Sequence, residues 1–212
     1  MASQPPKAEK TIWTVGHSNH PLEKFLDLLV QQRIAVLVDV RSSPYCRYAT
    51  HFNKEAIAAS LPARAIKYLF LGDLLGGRAE GEQFHDEQGR VLYDRVAQSA
   101  GFRQGIERLL RGLERHRVVL MCGEEDPTDC HRRVLVGRVL REGGVRVLHI
   151  RGDGRLQSEE EVARDAEFHK TKGQLSLFDL EETDQWKSTQ SVLPRKAPRN
   201  SSKHSAGPPS DA

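Results

Sequence analysis

The segment 122–133, CGEEDPTDCHRR, holds the densest group of reactive side chains in the chain. It leaves the apolar run VVLMC, passes through a turn and enters a helical pattern whose first turn carries Cys130, His131 and Arg132. Free N–H groups at a helix start favour an anion, and a guanidinium can hold a phosphate or carboxylate through two hydrogen bonds. We therefore predict an anion-binding site that includes His131 and Arg132.

Cys122 and Cys130 are candidate nucleophiles in the same segment. A thiol at a helix start beside histidine and arginine has a lowered pKa and forms the reactive thiolate more readily. The alternative is that both cysteines fill buried positions, as free cysteines commonly do. A zinc site is a third interpretation, but the spacing is not that of a zinc knuckle, and adjacent side chains diverge on a helix. We expect no metal ion and no other cofactor.

Carboxylates accompany these residues. Glu124 directly follows one apolar run and Asp39 ends another, so both are candidates for a general acid or base. Asp126 lies in the turn and is a candidate for ligand binding, although a position before a helix also suits a capping residue. Asp129 fits the capping role better, and we predict that role for it.

His17 and Ser18 follow the first apolar run, TIWTV. Histidine exchanges a proton near pH 7, so His17 could assist the carboxylates while Ser18 contacts the ligand. Arg41 stands two residues after Asp39 on an extended segment, which points both side chains to the same side. Arg41 is therefore predicted either to hold phosphate or to form an ion pair with Asp39 that fixes the loop.

A glycine-rich loop, LGDLLGGRAEGE at 71–82, follows the third apolar run. Gly76 and Gly77 allow its backbone to approach a ligand closely or to move as a lid. Tyr45, in the loop after Arg41, could stack on a base or pack against the protein. The glycine loop matches no phosphate-loop motif, so it adds candidate contacts without indicating a reaction.

Five apolar runs alternate with helical patterns and must position these residues. The predicted strands are 11–15, 35–40, 66–71, 118–122 and 145–150, and the predicted helices are 21–33, 53–61, 93–115 and 130–142. Continuous Val, Ile and Leu runs are typical of strands buried on both faces of a parallel sheet. We predict an α/β fold, a single Rossmann-like three-layer domain with about five mostly parallel strands flanked by helices. The strand ends would then gather the candidate residues in one cleft.

The chain has 212 residues, enough for one domain with tails. Residues 1–10 are polar and residues 185–212 are rich in Ser, Pro, Lys and Arg, so we predict disordered tails around an α/β domain at 11–172. No apolar run approaches the roughly 20 residues that span a bilayer, and the first ten residues lack a signal peptide. Three cysteines are too few for a disulfide framework. We expect a cytoplasmic protein without a membrane partner.

Four motifs together resemble one known family. They are TVGHS at 14–18, DVRSSP at 39–44, LGDLLGG at 71–77 and LMCGEEDPTDCHR at 120–132. The last motif is long and specific, and over about residues 11–152 the chain resembles the family called domain of unknown function 488. The resemblance implies a compact bacterial or archaeal α/β domain. It implies no reaction, because that family is defined by its sequence pattern.

The segment 173–184 contains the peptide QLSLF, which resembles the peptide by which bacterial polymerases and mismatch-repair proteins bind the DNA sliding clamp. Its residues are Gln174, Leu175, Ser176, Leu177 and Phe178. The resemblance implies that the glutamine hydrogen-bonds at the rim of a clamp pocket while the apolar side chains insert into it. The alternative is that this segment folds back and covers a groove of its own domain.

These features favour a DNA-associated, hydrolase-like enzyme that acts on DNA or a nucleotide-like anion and is recruited to the sliding clamp in replication or repair. The net charge of +3 permits an anionic partner. No dinucleotide fingerprint is present, which favours hydrolysis. Two alternatives stay open: a non-catalytic binding module tethered to the clamp, and a thiol-dependent enzyme acting on small metabolites.

Overall fold

The structure, a computed structural model, describes residues 10–171 and 186–191. Its strands are β1 Thr11–Gly16, β2 Val36–Asp39, β3 Lys67–Phe70, β4 Arg90–Leu92, β5 Val118–Cys122, β6 Arg146–Ile150, β7 Leu156–Ser158 and β8 Lys187–Ser191. Its α-helices are α1 Leu22–Gln31, α2 Lys54–Ser60, α3 Gly72–Leu75, α4 Tyr93–Gln98, α5 Ala100–Leu113, α6 Arg138–Glu142 and α7 Glu159–Thr171. The five predicted strands and all the predicted helical regions are present.

The main sheet has six strands in the order β3, β2, β5, β1, β6 and β7. The first five of these are parallel to one another, and β7 pairs antiparallel with β6 at the edge. The five apolar runs thus form one parallel sheet, and the predicted Rossmann-like α/β fold is confirmed. The sequence did not indicate β7, a strand of three residues with few apolar side chains.

Apolar side chains cover both faces of this sheet. On one face, α1 buries Phe25, Leu26, Leu28 and Leu29, whose spacing is that of one helical face, against β1, β2 and β5. On the other face, α5 and the helix after β5 bury their side chains against Ile12, Val38 and Leu120. Because residues next to each other in a strand point to opposite faces, each strand contributes to both clusters. The domain therefore has three layers.

The helix after β5 begins later than predicted. A turn follows β5, in which the N–H of Cys130 donates to the carbonyl of Pro127 at 3.1 Å. A π-helix, Arg132–Gly137, comes next and continues directly into α6. This helix leaves the sheet on the face opposite α1. The connections after the neighbouring strands β1 and β5 therefore diverge, which opens a crevice between their carboxyl ends.

Part of the tail predicted to be disordered is ordered. β8 pairs antiparallel with β4, and the side chain of Ser188 accepts a hydrogen bond from the N–H of Val91 at 2.9 Å. Trp186 donates its indole N–H to the carbonyl of Val134 at 2.6 Å and packs against the main core. The polar composition of 187–191 hides this strand, because backbone pairing and one aromatic anchor hold it rather than apolar side chains.

Several predictions fall on residues that the structure does not describe. They are the N-terminal tail before residue 10, the peptide at 174–178 and the tail after residue 191. Within 10–171 and 186–191, every helix is too short or too polar to cross a membrane.

Candidate functional site

A cleft of about 760 Å³ lies at the carboxyl ends of β1, β2 and β5. We call it the strand-end cleft. Of the residues predicted for the site, those lining it are His17, Ser18, Arg41, Tyr45, Gly77, Cys122, Glu124 and His131. The parallel strands bring these residues together from four distant parts of the sequence, because their carboxyl ends share one sheet edge.

Arg41 lies in the wall of the strand-end cleft and is held by Asp39. Its Nε and Nη2 atoms donate to the two carboxylate oxygens of Asp39 at 2.9 and 2.6 Å. Tyr68 donates to the same carboxylate at 2.8 Å, and Asp39 is completely buried. The predicted ion pair is present. The prediction that Asp39 acts as a general acid or base is wrong, because its carboxylate is occupied and does not reach the cleft.

His17 is a neutral acceptor beside Arg41. Its Nδ1–H donates to the carbonyl of Ser18 at 2.8 Å, so its Nε2 is free to accept from Nη1 of Arg41 at 3.0 Å. Burial, helped by the positive charge of Arg41, lowers the pKa of His17 to about 4. The ring stacks on Phe52 with 4.5 Å between the ring centroids. At neutral pH this histidine positions Arg41 and carries no charge.

One N–H of Arg41 is left for a ligand. A guanidinium has five N–H groups. Asp39 takes two of them, His17 takes one, and the carbonyl of Phe52 accepts one from Nη2 at 2.8 Å. Among the described residues, none accepts from the second N–H of Nη1. A fixed cation with one free donor in the cleft wall is a natural contact for an anion.

Cys122, Cys130 and His131 form a compact group at the strand-end cleft. Cys122 Sγ lies 3.6 Å from Nδ1 of His131, and the two sulfur atoms lie within 4.8 Å of each other. The neighbouring Cys130 thiol lowers the pKa of the Cys122 thiol against the effect of burial. Burial raises the pKa of Cys130 well above its usual range. Burial alone would lower the pKa of His131, but the neighbouring Cys130 thiol and the hydrogen bond to the carbonyl of Val40 outweigh it and raise this pKa.

Cys130 itself does not line the strand-end cleft. It is 1% exposed and lies behind Cys122. Its prediction as a nucleophile is therefore wrong for a substrate in this cleft, because a nucleophile must reach the reacting atom. Cys122 does line the cleft, and its role as a nucleophile stays a prediction.

Gly76 and Gly77 hold the glycine-rich loop close to the cleft. A side-chain carbon at Gly77 would lie 2.6 Å from Cγ of His131, and one at Gly76 would overlap the hydroxyl of Ser42. The close backbone approach is thus made to the protein rather than to a ligand. Gly77 packs against the His131 ring, while Gly76 lies behind the cleft lining.

Arg132 does not bind a ligand, so that prediction is wrong. The side chain is 1% exposed, and its Nη1 and Nη2 atoms donate to the carbonyls of Glu124 and Glu125 at 2.5 and 2.7 Å. Its Nε atom donates to the hydroxyl of Thr14 at 3.4 Å. Arg132 instead holds the turn after β5 in place, which leaves the exposed side chain of Glu124 in the cleft.

The roles of Asp126 and Asp129 are exchanged relative to the predictions. Asp126 lies outside the cleft lining and accepts from the N–H and the hydroxyl of Thr128 at 2.9 and 2.8 Å. It therefore stabilises the turn. Asp129 lines the strand-end cleft, and the helix that follows has no side-chain cap.

Sequence reasoning missed several residues of the cleft. They include Asn19, Arg78, Tyr93, Ser188 and Thr189. Arg78 lies in the glycine-rich loop, and its positive charge beside two glycines was a usable signal. Ser188 and Thr189 gave no signal, because they lie in a polar segment that the sequence predicts to be a disordered tail.

Comparison with known proteins supports one family. No curated protein and no solved structure matches the chain. A family model described as "Domain of unknown function DUF488" matches residues 21–139, more than half of the chain. The matched segment includes β2, β5 and the turn with Cys122, Cys130 and His131, so it contains most of the residues that form the strand-end cleft. The chain therefore belongs to the DUF488 family.

Proposed function

We propose that the protein is a hydrolase-like enzyme of the cytoplasm that acts on DNA or on a nucleotide-like anion in the strand-end cleft. The observation that carries this proposal is the buried, pre-oriented Arg41 with one N–H left in the cleft wall. Because Asp39 and His17 already fix the guanidinium, a phosphate oxygen binds it with little further loss of side-chain freedom. Arg78 adds a second positive charge to the lining.

The size and lining of the strand-end cleft suit a nucleotide. Its volume of about 760 Å³ is within the usual range of small-molecule sites. Tyr45 lines it and is 57% exposed, although a buried position is normally more favourable for an aromatic ring. An exposed ring beside an anion site is a suitable platform on which a base can stack. Ser18, Ser42 and Asn19 supply further polar contacts.

Glu124 is the acid–base residue of this proposal. Its side chain is exposed in the cleft, and no hydrogen bond or ion pair occupies its carboxylate among the described residues. It can therefore accept a proton from a water molecule that attacks a substrate held by Arg41. His17 takes no part in this proton transfer, because both of its ring nitrogens are already bonded.

The test uses labelled single-stranded and double-stranded DNA oligonucleotides and deoxynucleoside monophosphates as probes. Binding is measured by fluorescence anisotropy and by calorimetry, and products are separated by electrophoresis. Glu124→Gln should lower turnover by at least about 100-fold while binding is kept, because a general base contributes that much or more. Glu107→Gln, on an exposed position of α5, is the matched control and should leave both unchanged.

Three outcomes are informative. Turnover that depends on Glu124 supports the enzyme. Binding without turnover, with Glu124→Gln tolerated, favours the non-catalytic module instead. If none of the phosphate-bearing probes binds, the proposal fails, and a thiol-dependent enzyme acting on small metabolites becomes the better interpretation.

Recruitment to the sliding clamp is a separate part of the proposal and is supported by the QLSLF peptide at 174–178. Short peptides of this kind bind through a few inserted apolar side chains. The affinity of the full chain for purified bacterial sliding clamp should be micromolar or tighter. It should be lost in the Leu177→Ala/Phe178→Ala double variant. Equal affinity of the two proteins, or no binding by either, would remove the clamp from the proposed function.

A further inference from the structure

We propose that Cys122, Cys130 and His131 bind a zinc ion at the wall of the strand-end cleft. The two sulfur atoms and one ring nitrogen lie within 4.8 Å of one another. Two thiolates and an imidazole are soft to borderline ligands that select zinc over the hard cations Mg²⁺ and Ca²⁺. The site is distinct from Arg41 and Glu124, which carry the proposed function, and shares only the cleft with them.

The distance between the Cys122 and His131 ligand atoms matches a tetrahedral zinc site. Zinc binds sulfur at about 2.3 Å and nitrogen at about 2.1 Å, so a tetrahedral ion holds a sulfur and a nitrogen roughly 3.6 Å apart. The observed distance from Cys122 Sγ to His131 Nδ1 is 3.6 Å. Two sulfur ligands of the same ion would be roughly 3.8 Å apart, and the upper limit of 4.8 Å in the structure allows this with small side-chain movements.

His131 has the outer contact expected of a zinc ligand. Its Nε2–H donates to the carbonyl of Val40 at 2.9 Å, which leaves the Nδ1 lone pair directed to the thiol side. Metal-binding histidines almost always donate their other ring N–H to such an acceptor, which fixes the ring orientation. Gly77 packs against the ring near Cγ and Nδ1, and a side chain there would collide with the ring.

The position of the three ligands leaves one coordination position toward the strand-end cleft. Cys122 and His131 line the cleft, while Cys130 is buried behind them. A zinc ion with three protein ligands and an open position is the arrangement of catalytic rather than structural sites. Water or a ligand atom would occupy that position, within the same cavity as Glu124 and Asp129. The two thiol protons are released when the ion binds.

The direct test is cobalt binding to the full chain after zinc has been removed with a chelator. Tetrahedral cobalt bound by thiolates gives visible bands and a near-ultraviolet charge-transfer band, and zinc should displace it at one ion per chain. Cys122→Ser, Cys130→Ser and His131→Gln should each weaken binding by at least about 100-fold, since even changes in outer contacts typically cost about 10–100-fold. Cys46→Ser removes the third cysteine of the chain and should leave the spectrum unchanged.

Alkylation of the unmodified protein gives a second readout that needs no variant. Iodoacetamide should modify Cys46 with or without zinc, whereas Cys122, which lines the cleft, should react only after chelation, as read by peptide mass spectrometry. The proposal is overturned if cobalt gives no thiolate band. It is also overturned if Cys122 reacts equally fast with and without zinc, which would identify it as a free nucleophile.

These results are independent of the proposed function. Metal binding without Glu124-dependent turnover supports the zinc site and removes the enzyme. Glu124-dependent turnover without metal binding supports the enzyme and removes the zinc site.

Discussion

Arg41 is positioned by several partners, and this explains why a buried cation is tolerated at the edge of the strand-end cleft. The carboxylate of Asp39 neutralises its charge, while neutral His17 and the carbonyl of Phe52 accept further N–H groups. A buried charge is costly unless it is both paired and hydrogen-bonded, and Arg41 meets both conditions. Its single remaining N–H is then the only part of the guanidinium available to a ligand within the described structure.

Replacing Asp39 with asparagine should therefore destabilise the fold strongly. Asp39→Asn leaves a nearly buried guanidinium without its counter-charge, and the expected loss in the free energy of unfolding is about 3 kcal/mol. Urea denaturation followed by circular dichroism measures it. Asp129→Asn is the matched control, because that carboxylate is exposed in the same cleft, and it should change stability by less than about 0.5 kcal/mol. Equal losses in both variants would contradict this account of Arg41.

At the level of single residues, type and position in the sequence predicted part of the site. His17, Arg41 and Glu124 follow buried strands and Cys122 ends one, and the strand ends bring these residues together. The role of Arg132 was not predictable, because the sequence does not reveal which hydrogen-bond acceptors surround a side chain. Once the turn after β5 offers its carbonyls to the buried guanidinium, Arg132 is fully occupied.

At the level of elements, the turn after β5 determines what Cys130 and His131 can do. On a regular helix, adjacent side chains point about 100° apart. Cys130 and His131 on such a helix would be directed away from each other and could not bind the same metal ion. Cys130 instead lies in a turn closed by a hydrogen bond to Pro127, so its thiol points toward Cys122 and His131. The strands of the main sheet were predictable because buried parallel strands are continuous apolar runs. β8 was not predictable, because it is held by backbone pairing with β4 and has no run of apolar residues.

The glycine-rich loop and the helix after β5 meet at Gly77, and we expect Gly77→Ala to be destabilising. The added carbon would lie 2.6 to 2.9 Å from three atoms of His131, so the ring or the loop must move, at a cost of about 2 kcal/mol. Thermal and urea unfolding measure the loss. Gly112→Ala, in α5, is the control, because its added carbon has 3.9 Å to its nearest neighbour. That variant should gain up to about 1 kcal/mol from helix propensity. Identical stability of the two variants would show that the loop is free to move.

At the level of the whole molecule, one buried polar network joins β1, β6, α7 and the helix after β5. Thr14 donates its hydroxyl to Nδ1 of His149 at 2.8 Å, and Nε2–H of His149 donates to Glu159 at 3.1 Å. Arg133 donates to the same carboxylate at 2.9 Å. In this arrangement His149 is neutral and Glu159 is ionised, in agreement with the lowered pKa of each group. The packing of α7 and of the helix after β5 against the sheet therefore depends on the protonation states of His149 and Glu159.

This network should make the fold less stable in acid. Burial, together with the charges of Arg132 and Arg133, lowers the pKa of His149 below 6.5 although Glu159 opposes it. The pKa of Glu159 is lowered below 4.5 by its hydrogen bond with His149 and by Arg133 and Arg141, against the effect of burial. Below about pH 6.5 the unfolded chain binds a proton at His149 that the folded chain does not, so stability falls as pH decreases. Below about pH 4.5 Glu159 adds a second loss of the same sign.

The variant His149→Gln isolates the first of these losses. The glutamine amide can still accept from Thr14 and donate to Glu159, but it does not titrate. Urea midpoints measured at about pH 7.5 and about pH 5 should differ less in this variant than in the unmodified chain. The difference that remains reports the other histidines with a shifted pKa: His17 and His20, whose pKa is lowered by burial, and His131, whose raised pKa acts with the opposite sign. An unchanged pH dependence would mean that the pKa of His149 is the same in the folded and the unfolded protein, which would contradict this account of the network.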